Sequence, residues 1–254
     1  MTKSWQIFET KLRDLKQHTQ LVDLSLALSQ KQCKSKIEEY YKIASALNAK
    51  PKSHLQLNLP NTPQEISRVF AFSRMKLNEQ AIIELYRLFT DYISNIIAEI
   101  FKKDPNKLLG ALTNKDEKSL YFHDIIRLGN YDAILEEMTK KIYRQFENTR
   151  STPKLLDKII SITKINIPNE IKEEALLYLE IRHLIIHNYT KADSKFTKMN
   201  NANKVTINTS NNKISMNYQL ANNATIAVFK LCKTIDDELI TKNIIHKNSD
   251  RNLV

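Results

Sequence analysis

The chain has 254 residues, of which only 2 are glycine and 6 proline, and it carries a formal net charge of +11. With Gly110 and Gly129 isolated and far apart, there is no material for a glycine-rich phosphate loop, a dinucleotide fingerprint or a tightly turned sheet, so composition points to an all-α fold. The surplus of positive charge favours polyanions, nucleic acid before anionic membrane, although the basic residues are spread along the chain and form no concentrated arm.

Ser4 reads as an N-cap, and Trp5, Phe8, Leu12, Leu15, Leu21, Leu24 and Leu28 keep a helical period behind it. A second helical stretch is expected at 34–48, with Ile37, Tyr40, Tyr41, Ala44 and Leu47 on one side. Pro51, Pro60 and Pro63 mark a connector over 49–63. Thr62-Pro63-Gln64-Glu65 then supplies a cap, a proline at the first helical position and an early acid. The helix so opened is predicted to reach Lys102, with a break near 76–78, and its Ile82, Leu85, Leu88, Phe89, Tyr92, Ile96 and Ile100 suit a bundle core.

Asp104-Pro105 ends that helix, and shorter ones are predicted at 106–113, 117–128 and 130–148. Ser151-Thr152-Pro153 opens another, lasting to about Thr163, and Pro168-Asn169-Glu170 opens the next, ending near 189–191. Residues 192–217 are polar and asparagine-rich. Within them Lys204-Val205-Thr206-Ile207 and Lys213-Ile214-Ser215-Met216 alternate around Ser210-Asn211-Asn212, a hairpin signal. A last helix is expected over 220–243, followed by a frayed tail from His246.

Cys33 and Cys232 make neither a disulfide framework nor a metal cluster. No run reaches the length of about 18 apolar residues of a membrane span, and the charged amphipathic start has no apolar leader, so the expectation is a cytoplasmic protein without a membrane partner.

Chemistry concentrates in the helix from Asn169. Ala175 to Ile186 is apolar on almost every side, yet Glu180, Arg182 and His183 are set into it and His187 and Asn188 follow directly. Burying such groups without partners costs several kcal/mol or more, so they must pair internally or open onto a solvated cleft. At about 100° per residue, Arg182 and His187 lie roughly 140° apart, while His183 and His187 share a face. Histidine, titrating near 6.5 as a residue type, suits proton transfer between oxygens, and an arginine fork suits a phosphate gaining charge.

Arg182-His183-Leu184-Ile185-Ile186-His187 followed by Asn188-Tyr189 resembles the R-x4-H-x-Y form of the motif of HEPN-domain ribonucleases, the form found in toxins of toxin–antitoxin pairs. The likeness covers roughly 151–239 and extends to the helix from Pro63; residues 1–60 lie outside it. It implies a HEPN-like helical bundle over 61–245, preceded by an N-terminal helical segment and followed by a tail at 246–254. It implies a metal-independent endoribonuclease without cofactor, acting as a toxin or antiphage defence effector, in which a ribose 2′-OH attacks the phosphodiester. Arg182 would stabilise the phosphate and His187 serve as general acid or base. His183 and Asn188 would support them, and Tyr189 would orient His187 or touch phosphate. The implied partners are RNA, a second copy of the chain bringing two motifs to one cleft, and an antitoxin or defence-system protein.

Other readings stand beside this one. Glu180 can pair with Arg182 or a nearby lysine, giving a structural network without catalysis. His183 and His187 have metal-ligand spacing, with only Glu180 or Asp193 near enough in sequence to add to it. His123 near Arg127 could line the same cleft, and Tyr40-Tyr41 or Tyr121-Phe122 could stack on bases, although core packing is the better explanation of such aromatics. The alternative function is a non-catalytic HEPN-like RNA-binding or scaffold protein.

Overall fold

A computed structural model describes residues 1–36, 38, 39, 42, 62–104, 106, 121–147 and 152–248. Among them the chain is mostly helical: α1 (Lys3–Ser35), α2 (Pro63–Lys103), α3 (Phe122–Leu128), α4 (Tyr131–Glu147), α5 (Thr152–Thr163), α6 (Asn169–Asn188), α7 (Ser194–Ala202), a hairpin of β1 (Thr209–Ser210) and β2 (Lys213–Ile214), and α8 (Tyr218–Thr241). Most of the stretch expected at 34–48, the connector to 61, the helix at 106–113 and the start of that at 117–128 fall outside the described residues, as do Tyr40, Tyr41 and His54.

The three longest helices, α1, α2 and α8, start where side-chain oxygens meet free backbone N–H groups, whereas α6 starts at Pro168 without a side-chain cap. Thr62 accepts from the N–H of Glu65 at 3.1 Å with Pro63 behind it, and Asn217 accepts from the N–H of Leu220 at 2.9 Å. At the first helix the cap is Thr2 rather than Ser4: Thr2 Oγ1 accepts from the N–H of Trp5 at 3.0 Å. Ser4 is engaged elsewhere, its N–H donating to Glu99 Oε1 at 2.8 Å and its hydroxyl donating to the same oxygen.

α1, α2, α6 and α8 pack on one another around a shared core. Trp5 and Phe8 of α1 meet Tyr92 of α2 and Phe229 of α8, with Trp5–Phe229 and Phe8–Tyr92 ring centroids 5.2 Å apart. The Tyr92 hydroxyl donates to the carbonyl of Cys232 at 3.0 Å, so the one polar atom of a buried ring is satisfied. Asp236, with no exposed surface, accepts from the N–H of Thr2 at 3.2 Å and from its hydroxyl. Burial holds its carboxyl above the ordinary 3.8, and the Thr2 bonds oppose that rise.

Several expectations are corrected. α1 runs unbroken to Ser35, but Leu21, Leu24 and Leu28 are exposed. At that height α1 and α2 are joined instead by Arg74, whose guanidinium donates twice to Asp23 at 2.9 and 2.7 Å. α2 has no break at 76–78: Asn78 is buried and donates to the Arg74 carbonyl one turn back at 2.7 Å. The 192–217 segment contains α7, capped by Asp193 on the N–H of Phe196 at 2.7 Å, with Phe196 buried. The hairpin is shorter than expected. Residues 204–207 form no strand, because Asn200 holds Ile207 by both backbone groups at 2.8 and 3.0 Å. The paired residues are those flanking Asn211 and Asn212, whose φ values of 50° and 61° make the two-residue turn. The tail is not free at 246–248: the Asn248 N–H donates to the Met1 carbonyl and its side chain to Gln6 Oε1, both at 2.9 Å. Among the described residues no helix is long and apolar enough to cross a membrane.

Candidate functional site

The middle of α6 is an apolar rod and its last turns are polar. Ala175 to Ile181 and Leu184 are buried, whereas His183, Ile186 and His187 are exposed and Arg182 and Asn188 half-buried. The helix stops because Tyr189 and Thr190 adopt left-handed backbone, φ 51° and 64°, and the Thr190 N–H turns back to the Leu184 carbonyl at 3.0 Å. A non-glycine residue in that region costs roughly 1–2 kcal/mol, so the rest of the structure must hold the bend.

The hairpin does so. Ala192 N–H donates to the Asn212 carbonyl at 2.9 Å and Ile214 N–H to that of Thr190 at 3.0 Å, so Lys191 bridges Lys213. The Asn212 side chain adds a bond to the Ala192 carbonyl at 3.1 Å, and that of Asn188 reaches the Lys191 carbonyl at 3.4 Å. The end of α6 is therefore clamped by a segment that follows it in the chain.

The structure brings His183 and His187 together, their ring centroids 4.8 Å apart and planes tilted by 46°. It sends Arg182 elsewhere: the guanidinium lies over the ring of Tyr86 on α2, 4.9 Å from its centroid, and among the described residues no hydrogen bond links it to His187. Glu180, 8% exposed, pairs with Lys195 of α7 at 2.8 Å, the lysine option of the two considered. Tyr189 is 85% exposed. Among the described residues no third ligand-type side chain joins the histidine pair. His123 and Arg127 both address Asp124 on the surface of α3, at 3.2 and 3.1 Å.

Tyr86, Lys195 and the Lys191–Lys213 pair are the neighbours that sequence reading missed. Tyr86 sits in a long apolar helix where nothing local separates it from core aromatics. The lysines had one available signal: Lys195 and Lys213 lie within the polar, asparagine-rich stretch 192–217, and Lys191 directly precedes it.

The arrangement offers two imidazoles at the surface, a half-buried guanidinium within arm's length of the same helix end, and ammonium groups on the following turn. Such a set can hold an anion and move a proton. No family model matches the chain, and comparison with curated proteins and with solved structures finds no similar protein.

Proposed function

We propose that this chain is a metal-independent endoribonuclease of the HEPN type, a toxin or antiphage effector acting on RNA in the cytoplasm. One observation carries the reading: a helix buried through its middle, from Ala175 to Ile181, ends by presenting Arg182, His183 and His187 at the bundle surface near Lys191 and Lys213, which have no acidic partner among the described residues. A purely structural helix has little reason to end its apolar run on two mutually facing imidazoles, which gain nothing from packing against water.

In this scheme His187 takes the proton from a ribose 2′-OH, or returns one to the departing 5′-oxygen. The 2′-oxygen bonds to phosphorus as the P–O5′ bond breaks, leaving a 2′,3′-cyclic phosphate and a 5′-OH. Arg182 neutralises the charge that grows on the phosphate oxygens. His183 packs on His187 and fixes its ring, and Asn188 braces the turn that follows. Since Arg182 and His187 diverge around the helix, a homodimer that sets a second His187 across a shared cleft supplies the missing acid or base.

The second reading, a non-catalytic RNA-binding or scaffold bundle, draws on the Arg182–Tyr86 contact, which by itself is a sufficient packing use for the arginine. Purified protein incubated with total RNA in EDTA separates the two. Cleavage by the wild type and its loss in both Arg182→Ala and His187→Ala, with circular dichroism unchanged, is the expected result. A wild type that leaves every RNA intact, or variants that cut as well as it does, removes the proposed site.

A further inference from the structure

Lys191 and Lys213 stand directly opposite each other in an isolated antiparallel bridge. The bonds flanking them, Ala192 N–H to Asn212 and Ile214 N–H to Thr190, define the non-hydrogen-bonded kind of pair. In that kind the Cα atoms are only about 4.5 Å apart and the side chains closest. Like charges so placed are destabilising. Both side chains are exposed, and neither ammonium has an acidic partner among the described residues. The juxtaposition is also fixed in advance, by left-handed residues at 189–190 and 211–212 and by the Asn212 side chain on Ala192. Nothing in the fold requires two cations there; an anion lying between them would reverse the sign of the interaction.

We propose that Lys191 and Lys213 together grip one phosphodiester of a single-stranded RNA laid across the histidine end of α6. The position of the strand rests on the endoribonuclease reading, while the grip itself needs no cleavage. Lys191 follows His187 by four residues, and the exposed Tyr189 between them offers a ring face to a base. Ammonium groups act on phosphate as point charges, so the pair supplies affinity and register rather than base choice.

The test is fluorescence anisotropy with a labelled, mixed-sequence 2′-O-methyl RNA, which has no free 2′-OH and stays intact whether or not the protein is a nuclease. Relative to wild type, K191A/K213A should bind roughly tenfold more weakly, and the slope of log affinity against log salt should fall by about 0.7 to 1. K16A/K34A, which removes the same charge from α1, should bind within about twofold of wild type, a charge effect without a specific contact. The melting temperature of K191A/K213A should equal or exceed that of wild type because a repulsion is relieved. If the double variant does not fold, K191A and K213A singly give the same readout. Unchanged affinity and slope in K191A/K213A, or an equal loss in K16A/K34A, overturns the grip and leaves the nuclease reading intact. A wild type that binds none of the probe overturns the grip as well, and the nuclease reading is then decided by the cleavage assay alone.

Discussion

The guanidinium of Arg182 rests over the ring of Tyr86, 4.9 Å from its centroid, so the arginine of the motif takes its position from a different helix. Among the described residues the Tyr86 hydroxyl makes only a long contact of 3.4 Å to Thr152 Oγ1, which contributes little to holding the ring. If the chain is the proposed nuclease, Tyr86→Phe should therefore cut RNA like the wild type. Tyr86→Ala frees the arginine and should slow single-turnover cleavage on the order of ten- to a hundredfold, as expected when a catalytic group is misplaced. Equal rates for the two variants would mean that the ring does not position Arg182.

Glu180 and Lys195 form an unequal pair. The carboxylate is almost covered while the lysine side chain is more than half exposed. Removing the lysine strands a buried charge, whereas neutralising the acid strands only a solvated one. Lys195→Ala should lower stability by about 1 kcal/mol, and Glu180→Gln by less. Urea denaturation of both variants checks the order; a larger cost for Glu180→Gln would contradict it.

Tyr189 combines left-handed backbone with an exposed ring, a conformation persisting where a glycine would rest more easily. Tyr189→Gly should raise the melting temperature, corresponding to about 1 kcal/mol, and at the same time weaken binding of the 2′-O-methyl RNA. A variant that is neither more stable nor weaker in binding would show that the bend carries no strain and the ring no contact.

Asp236 gives the fold a pH dependence of definite sign. Burial raises its folded-state pKa above 3.8, so as pH rises the unfolded chain ionises first. The stability contributed by the protonated carboxyl is complete below that value and is lost as pH climbs through the raised folded pKa. Asp236→Asn should abolish this drop, and at pH 7 should lie closer to wild type than Asp236→Ala, which leaves the Thr2 N–H and hydroxyl without their acceptor. Melting temperatures across the acid range settle it: parallel curves for wild type and Asp236→Asn would exclude Asp236 as the source.

Much of the helical frame was readable because its signals are local. Thr62-Pro63 opens α2, Pro168-Asn169 opens α6, and the apolar period of α2 names its buried face correctly. Errors came where a distant group decided the outcome. Ser4 loses the cap to Thr2 because Glu99 claims it, and Leu21, Leu24 and Leu28 keep a period that meets no core. α7 was missed because one buried residue, Phe196, anchors an otherwise polar stretch. At the site, the angular divergence of Arg182 from His187 and the closeness of His183 to His187 follow from helical spacing alone. The Tyr86 platform does not, since it depends on how two helices pack.

The meeting of the first helix with the last sets the order in which this molecule can mature. Thr2 and Asp236 are 234 positions apart, yet they bond, and Trp5 packs on Phe229. While the ribosome is still making the chain, α1 lacks the surface that seals it, and closing so long a loop is slow. A nascent chain truncated before α8 thus lacks one wall of its interior, and any enzyme built on this scaffold stays unarmed until that final helix emerges.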